Sequence, residues 1–421
     1  MKEKGIYMRG RYAESEKPIG YKLYTVIITI LPAINTYKSP IPNVELGTFL
    51  LLILFLFMFL NDRKIYADNL IWKWLVMLYA FLLFTIIASF NPGILETSLF
   101  SITFRFLKIC AVVLIVIVQG RKWFDYTIAI KTLRIFSLLC VAFIILQSIL
   151  YYGAGIILHG IYIPLASAEG YSDYNFEFMY SILFRPTSFF FEPSHFCAYA
   201  LVYFTYLLSA NTEKYRRFQL AVMTLGVVMS TSGTGIVLIP ITVLITAMLM
   251  LFKHNISTTR NSLLLGAIVA IVIIIALNVY INSDVGQTVL QRYIKSDGSL
   301  GTAVLGRLDS GAGELYKELP IFYKIIGTGF GNRPSTVYFS SLYSILYGDG
   351  LVGLILLLWI IISSYRKCGV FGKLLCVVYM VLMIGTGVFN FASIGLYFSF
   401  IHQDIYEPMP HIDKKYYSCK R

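Results

Sequence analysis

Apolar runs of about 20 residues recur along the whole chain, separated by short polar breaks. Runs of that length belong to helices that cross a bilayer rather than to one buried core. Length and hydropathy predict about twelve crossings. The first five span residues 21–36, 45–60, 70–90, 98–118 and 129–152. A sixth begins near Phe190 and ends near Ala210, and two more, 218–230 and 236–252, flank the polar break Ser230-Thr-Ser-Gly-Thr-Gly235. The ninth is 261–281 and the tenth 351–365, the latter preceded by a Tyr- and Ser-rich amphipathic segment. The last two share 372–402, a span short for two full crossings. The expected architecture is an all-α polytopic membrane protein, with 1–421 as one membrane domain. Within it lie a long extracytoplasmic loop, 282–336, and a smaller extracytoplasmic segment, 153–190.

Composition supports this reading. The 421 residues are 57% hydrophobic and only 14% charged, against roughly 25% charged in a soluble domain. The net charge of +13 fits attraction to anionic lipid and cytoplasmic anchoring better than nucleic-acid binding. With the N-terminus in the cytoplasm, the breaks that fall inside carry 24 of the 35 Lys and Arg residues, and the short outward loops carry only Lys38 and Arg185. Both termini are therefore expected inside and the long loop outside. The six cysteines are scattered and show neither metal-ligand spacing nor a disulfide framework. The polar first twenty or so residues are unlike a cleavable signal peptide.

The stretch Phe184–Tyr199, FRPTSFFFEPSHFCAY, sets Arg185, Glu192 and His195 at the mouth of an apolar run. Ionisable groups beside hydrocarbon are costly and line wet functional cavities by default. The alternative is a headgroup-level Arg185 and a Glu192 that caps a helix. Arg105 and Lys108 share one face of the fourth span, with no acid at i±4. They point to an anionic ligand such as a phosphate, or else snorkel to the headgroups. The break at 230–235 reads as a tight turn or as a close backbone approach to a ligand. In the long loop, Gly306-Arg-Leu-Asp309, Gly311-Ala-Gly-Glu314 and Gly327-Thr-Gly-Phe-Gly-Asn332, followed by Arg333, are similar to a phosphate-binding nest. Arg307 and Arg333 face the same compartment as Arg185, and arginine pairs bidentately with diphosphate oxygens.

Four features in order resemble the Wzy/O-antigen ligase superfamily of bacterial polysaccharide enzymes. They are Arg185-Pro-x-Ser-x-Phe-x-Glu192-Pro-Ser; the Ser-rich, Gly-ended turn at 230–235; Gly306-Arg307 leading to Gly327-x-Gly329; and Tyr347-Gly-Asp-Gly-Leu-Val-Gly353 running into an apolar helix. The resemblance implies a GT-C-like membrane glycosyltransferase in the bacterial cytoplasmic membrane. Its substrate would be a polyprenyl-diphosphate-linked oligosaccharide, whose repeat units it joins into O-antigen, capsule or exopolysaccharide. No cofactor, metal or nucleotide sugar is implied; membrane lipid and a separate chain-length regulator are the implied partners. Arg185 and Arg307 would stabilise the leaving diphosphate, supported by Arg333, Arg105 and Lys108. Glu192 would be the general base, with His195 as fallback and Asp309, Glu314 and Asp349 as further contenders. Two alternatives stand beside the polymerase. A ligase, delivering finished glycan to an acceptor, is expected to carry a His where this chain has Phe339. A transporter or flippase of lipid-linked sugars would favour inverted repeats, which the chain does not display.

Overall fold

The computed structural model describes residues 18–66, 70–167, 184–210, 213–253, 311–334 and 336–406. They are mostly helical, and no strand occurs among them. The helices are α1 (Ile19–Thr29), α2 (Leu46–Asp62), α3 (Ile71–Ser89), α4 (Leu99–Val112), α5 (Tyr126–Ala154), α6 (Pro193–Ser209), α7 (Arg216–Met229), α8 (Gly233–Lys253), α9 (Ala312–Glu318), α10 (Ile321–Ile326), α11 (Ser341–Lys367), α12 (Val370–Gly385) and α13 (Phe391–Tyr406). Ile71–Ser89, Leu99–Val118, Tyr126–Ala154 and Ser341–Lys367 are long and apolar enough to cross a membrane. Shorter apolar helices accompany them. The chain thus has the build of a helical membrane protein. The predicted ninth crossing, 261–281, lies outside the described residues.

Boundaries follow local chemistry. Ser98 caps α4 by accepting from the Ser101 N–H at 3.3 Å, and Asp125 caps α5 by accepting from the Ile128 N–H at 3.1 Å. Helix α4 continues as a π-helical turn, Val113–Val118. Pro193 opens α6, where its missing N–H leaves no hydrogen bond unmade.

The structure departs from the hydropathy pattern in two places. The amphipathic segment before residue 351 is not separate, because it forms the first turns of α11, bent at Gly350. The stretch 311–334 is not plain loop, since it holds α9 and α10. The short span 372–402 does accommodate two helices, because α12 and α13 are only 16 residues each and a short turn joins them.

Loops gather at two ends of the bundle. At one end the Lys38 N–H donates to Leu165 O at 2.8 Å and the Ser167 N–H to Thr36 O at 2.8 Å. Asn332 there joins residues 94–97, and the Ser341 N–H donates to Thr386 O at 3.0 Å. At the other end Asp62 accepts from Tyr21 at 2.9 Å and from Trp123 at 2.8 Å. Gln119 there donates to Lys64 O at 2.9 Å, and Arg121 lies over the Tyr406 ring.

Helices α6 and α13 form the centre. Nearly every residue of both is buried, and Tyr397 Oη of α13 donates to Ala198 O of α6 at 2.6 Å. Helices α2, α3 and α5 instead keep one face of exposed Leu, Ile and Phe, such as Phe57, Leu82 and Leu139, as lipid-facing helices do.

Candidate functional site

At the first end the helices enclose a cavity of about 420 Å³. Its cationic wall comes from α4 and the loop after α10. Arg105 and Lys108, three residues apart on α4, both face it, as does Arg333. Helix α6 contributes Ser194 and His195, and His195 is exposed to the opening. The remaining wall is mixed: Ser344 and Asp349 from α11 and Asn390 and Ser393 around the start of α13 are polar, and Ile109, Ile345 and Leu396 are apolar. Phe330 and Phe389 add apolar ring surface.

Each cation is held differently. Arg105 donates through a guanidinium N–H to the carbonyl of Gly331 and lies within electrostatic range of Arg333. Lys108 is neutralised by Glu45, with Nζ 2.9 and 3.0 Å from the two carboxylate oxygens. The absence of an acid at i±4 was therefore misleading: the counter-charge comes from the N-cap position of α2. Arg333 reaches solvent at the rim. The surrounding loop desolvates it enough to hold its pKa below the usual guanidinium value, with Tyr338 acting in the opposite sense. Arginine stays cationic under such a shift. Among the described residues no carboxylate forms an ion pair with Arg105 or Arg333.

Asp349 lines the same cavity and is 1% exposed. Its Oδ1 is buried with no hydrogen-bond partner. A buried acceptor left unmade costs about 1–3 kcal/mol, so the fold carries a penalty here that a bound donor or proton would relieve.

The glycine-rich segment 327–331 does not form an anion nest. Its amides are used within the protein. Thr328 N–H donates to Tyr347 O at 2.9 Å and Gly329 N–H to Gly348 O at 2.8 Å, while Phe330 N–H donates to Thr85 Oγ1 at 2.9 Å. Gly327 (φ +82°) and Gly350 (φ +68°) let the two backbones touch: a Cβ on Gly327 would stand 2.2 Å from Gly348 O, and one on Gly350 2.3 Å from Ile325 O. The motifs 327–331 and 347–353 are two halves of one lock. It sets the bend of α11, which places Asp349, and it presents the Gly331 carbonyl that holds Arg105.

Asn332 anchors this lock. It is 1% exposed and its side chain is fully used. Oδ1 accepts from the N–H groups of Glu96 (2.9 Å) and Thr97 (3.1 Å), and Nδ2 donates to Ile94 O (3.0 Å) and Thr328 O (3.2 Å). The sequence reading missed Asn332 and Glu45. No spacing marks either, since the partners that tie them to other elements, residues 94–97 and Lys108, lie far along the chain.

The structure thus brings Arg105, Lys108, His195 and Arg333 together, with Asp349. Arg185 and Glu192 do not line the cavity. Glu192 occupies the N-cap position of α6, where its carboxylate accepts from Ser194 Oγ at 2.9 Å rather than from a backbone N–H. Arg185 lies within electrostatic range of Cys197, on a different face of α6, where Cys197 Sγ and Ser230 Oγ are 3.5 Å apart. The break at 230–235 is a tight turn with Ser230, Thr231 and Ser232 buried. Glu314 sits in α9 and does not line the cavity. Arg307 and Asp309 lie outside the described residues.

The arrangement can hold an anionic group against two guanidinium ions while a hydroxyl-rich group meets the Ser, Asn and Asp wall. No protein-family model matches the chain, and neither does any curated protein or solved structure at a significant level.

Proposed function

We propose that the protein is a membrane glycosyltransferase that joins polyprenyl-diphosphate-linked oligosaccharide repeat units into a surface polysaccharide. The proposed setting is a bacterial cytoplasmic membrane with about twelve GT-C-like crossings, and the cavity opens on the extracytoplasmic side. The observation that carries this reading is the pair Arg105 and Arg333, facing one cavity with no described carboxylate to neutralise either. Such a pair suits a diphosphate, whose charge grows as it leaves. The polar wall with Ser344, Asn390 and Ser393 suits sugar hydroxyls, and Phe330 and Phe389 offer apolar surface to ring faces.

In the reaction, an acceptor hydroxyl oxygen of one repeat unit attacks the anomeric carbon of the growing chain. The bond from that carbon to the diphosphate oxygen breaks, and polyprenyl diphosphate leaves with the bonding electrons. The hydroxyl proton passes to a base. Of the groups the sequence offered for this role, His195 and Asp349 line the cavity and Glu192 does not. Arg185 does not line the cavity and has no part in this reading; a role for Arg307 at the leaving diphosphate rests on the sequence resemblance alone.

The test is chain extension by purified protein supplied with lipid-linked repeat units. Arg105→Gln and Arg333→Gln should each slow extension on the order of 10²-fold or more while the protein still accumulates in the membrane. Wild-type chain lengths in both variants would remove the pair from the mechanism. Translocation of lipid-linked sugar into vesicles without extension would replace the enzyme with a carrier.

A further inference from the structure

A second cation cluster lies at the opposite end of the bundle, away from the cavity. Lys73 of α3 is close enough to Arg366 and Lys367 of α11 for all three charges to interact. Lys73 Nζ donates to Ser363 Oγ and stands 4.6 Å from the centre of the Trp359 ring. Among the described residues no carboxylate pairs with any of the three cations.

The local electrostatics are unfavourable without a further partner. Three like charges repel one another. Arg366 and Lys367 at least oppose the negative end of the α11 dipole. Lys73 gains no such compensation, because it is the third residue of α3, where the helix dipole is positive. Snorkelling alone would carry the ammonium outward to water. Here it is instead turned onto Trp359 and Ser363, toward the other two cations.

The surface beside the cluster is apolar. Ile355, Trp359 and Ile362 of α11 and Val76 of α3 are all exposed, at 55%, 44%, 44% and 47%. On α11 they recur at the three- and four-residue spacing that ends in Arg366. The surface where α3 packs on α11 therefore offers three cations, a hydroxyl and an aromatic ring at one end, and exposed apolar side chains beside them.

We propose that the surface where α3 meets α11 is a binding site for one anionic phospholipid. Its phosphate sits among Lys73, Arg366 and Lys367, and an acyl chain lies along Trp359, Ile355 and Val76. Arg366 supplies the planar donor fork and Lys73 a point charge. Basic pockets between transmembrane helices bind anionic headgroups in this way. The site is independent of the proposed catalytic activity, and its test requires none.

The experiment is thermal unfolding of the full-length protein in nonionic detergent, titrated with phosphatidylglycerol, with phosphatidylcholine or with inorganic phosphate. Phosphatidylglycerol should raise the midpoint, and the other two should not. Each cation removed should weaken the apparent affinity roughly fivefold, and Lys73→Gln/Arg366→Gln/Lys367→Gln together on the order of a hundredfold. Should the triple variant not fold, Arg366→Gln/Lys367→Gln, which changes only exposed side chains, should still weaken binding more than tenfold. Arg63→Gln/Lys64→Gln, which removes two exposed cations at the same end, should leave the affinity unchanged. An equal response to phosphatidylcholine or to inorganic phosphate would overturn the lipid site. So would an unchanged affinity in the cluster variants, or an equal loss in the Arg63/Lys64 control.

Discussion

Asp349 carries the clearest tension at the level of single residues. A carboxylate with one oxygen buried and unpartnered is a cost to the fold. Asn has nearly the same shape without the charge, so Asp349→Asn should leave the thermal midpoint unchanged or raise it by a few degrees. If the carboxylate takes the acceptor proton, the same substitution should lower kcat about 10²-fold or more with little change in KM. Loss of stability in Asp349→Asn would show instead that the carboxylate is structurally paired. The sequence ranked Asp349 behind Glu192 and His195 and level with Asp309 and Glu314, because it displays a residue's type but not its missing partner. Lys108 teaches the converse: its spacing from Arg105 was legible, but Glu45, its neutralising partner, sits on another helix.

At the level of elements, the bend of α11 and the segment 327–331 depend on each other. Gly350 has φ +68° and a backbone neighbour 2.3 Å from where a Cβ would stand. Gly350→Ala should therefore lose about 1–3 kcal/mol from backbone strain alone, with the overlap adding to it. It should also disturb Arg105, which is held by the Gly331 carbonyl. Gly385, where an added Cβ would meet nothing within 4 Å and the backbone conformation is ordinary, is the control: Gly385→Ala should be neutral or slightly stabilising. Thermal unfolding of both variants in detergent checks the pair. Equal midpoints would mean that the two glycine motifs do not depend on each other's close approach. Each motif was visible in the sequence as a run of glycines. Their mutual contact was not, and a nest was the reasonable expectation from one segment viewed alone.

At the level of the whole molecule, the bundle places Lys38 and Asn390 at the cavity end and Arg63 and Lys214 at the other, all four exposed. Single cysteines introduced at these positions should divide into two classes under a membrane-impermeant thiol reagent applied to intact cells. Those replacing Lys38 and Asn390 should react at once, and those replacing Arg63 and Lys214 only after permeabilisation. The reverse pattern would place the cavity in the cytoplasm and end the proposed reaction. Labelling of all four alike would contradict the two-ended bundle.

Sequence alone determined where the helices run. An apolar stretch must satisfy its own backbone once it leaves water, so length and hydropathy place most described helices between 19 and 253 to within a few residues, and the helices after 340 apart from the first turns of α11. It also marked Arg105, Lys108 and His195, because a charge beside hydrocarbon is conspicuous wherever it lies, and Arg333, because it follows a glycine-rich run in the long loop. Tertiary structure alone decided which helices are central. In water the buried face is the apolar one, but lipid is as apolar as a core, so hydropathy does not separate inside from outside. Helices α6 and α13 are buried, yet they are rich in polar groups, including Ser194, Thr205, Ser399, His402 and Asp404. Neighbouring helices meet groups that lipid could not, as where the Gly372 N–H of α12 donates to Asp404 Oδ2 at 2.9 Å. That same enclosure gathers residues as distant along the chain as Glu45 and Asn390 into one cavity, a grouping that no local pattern in the chain encodes.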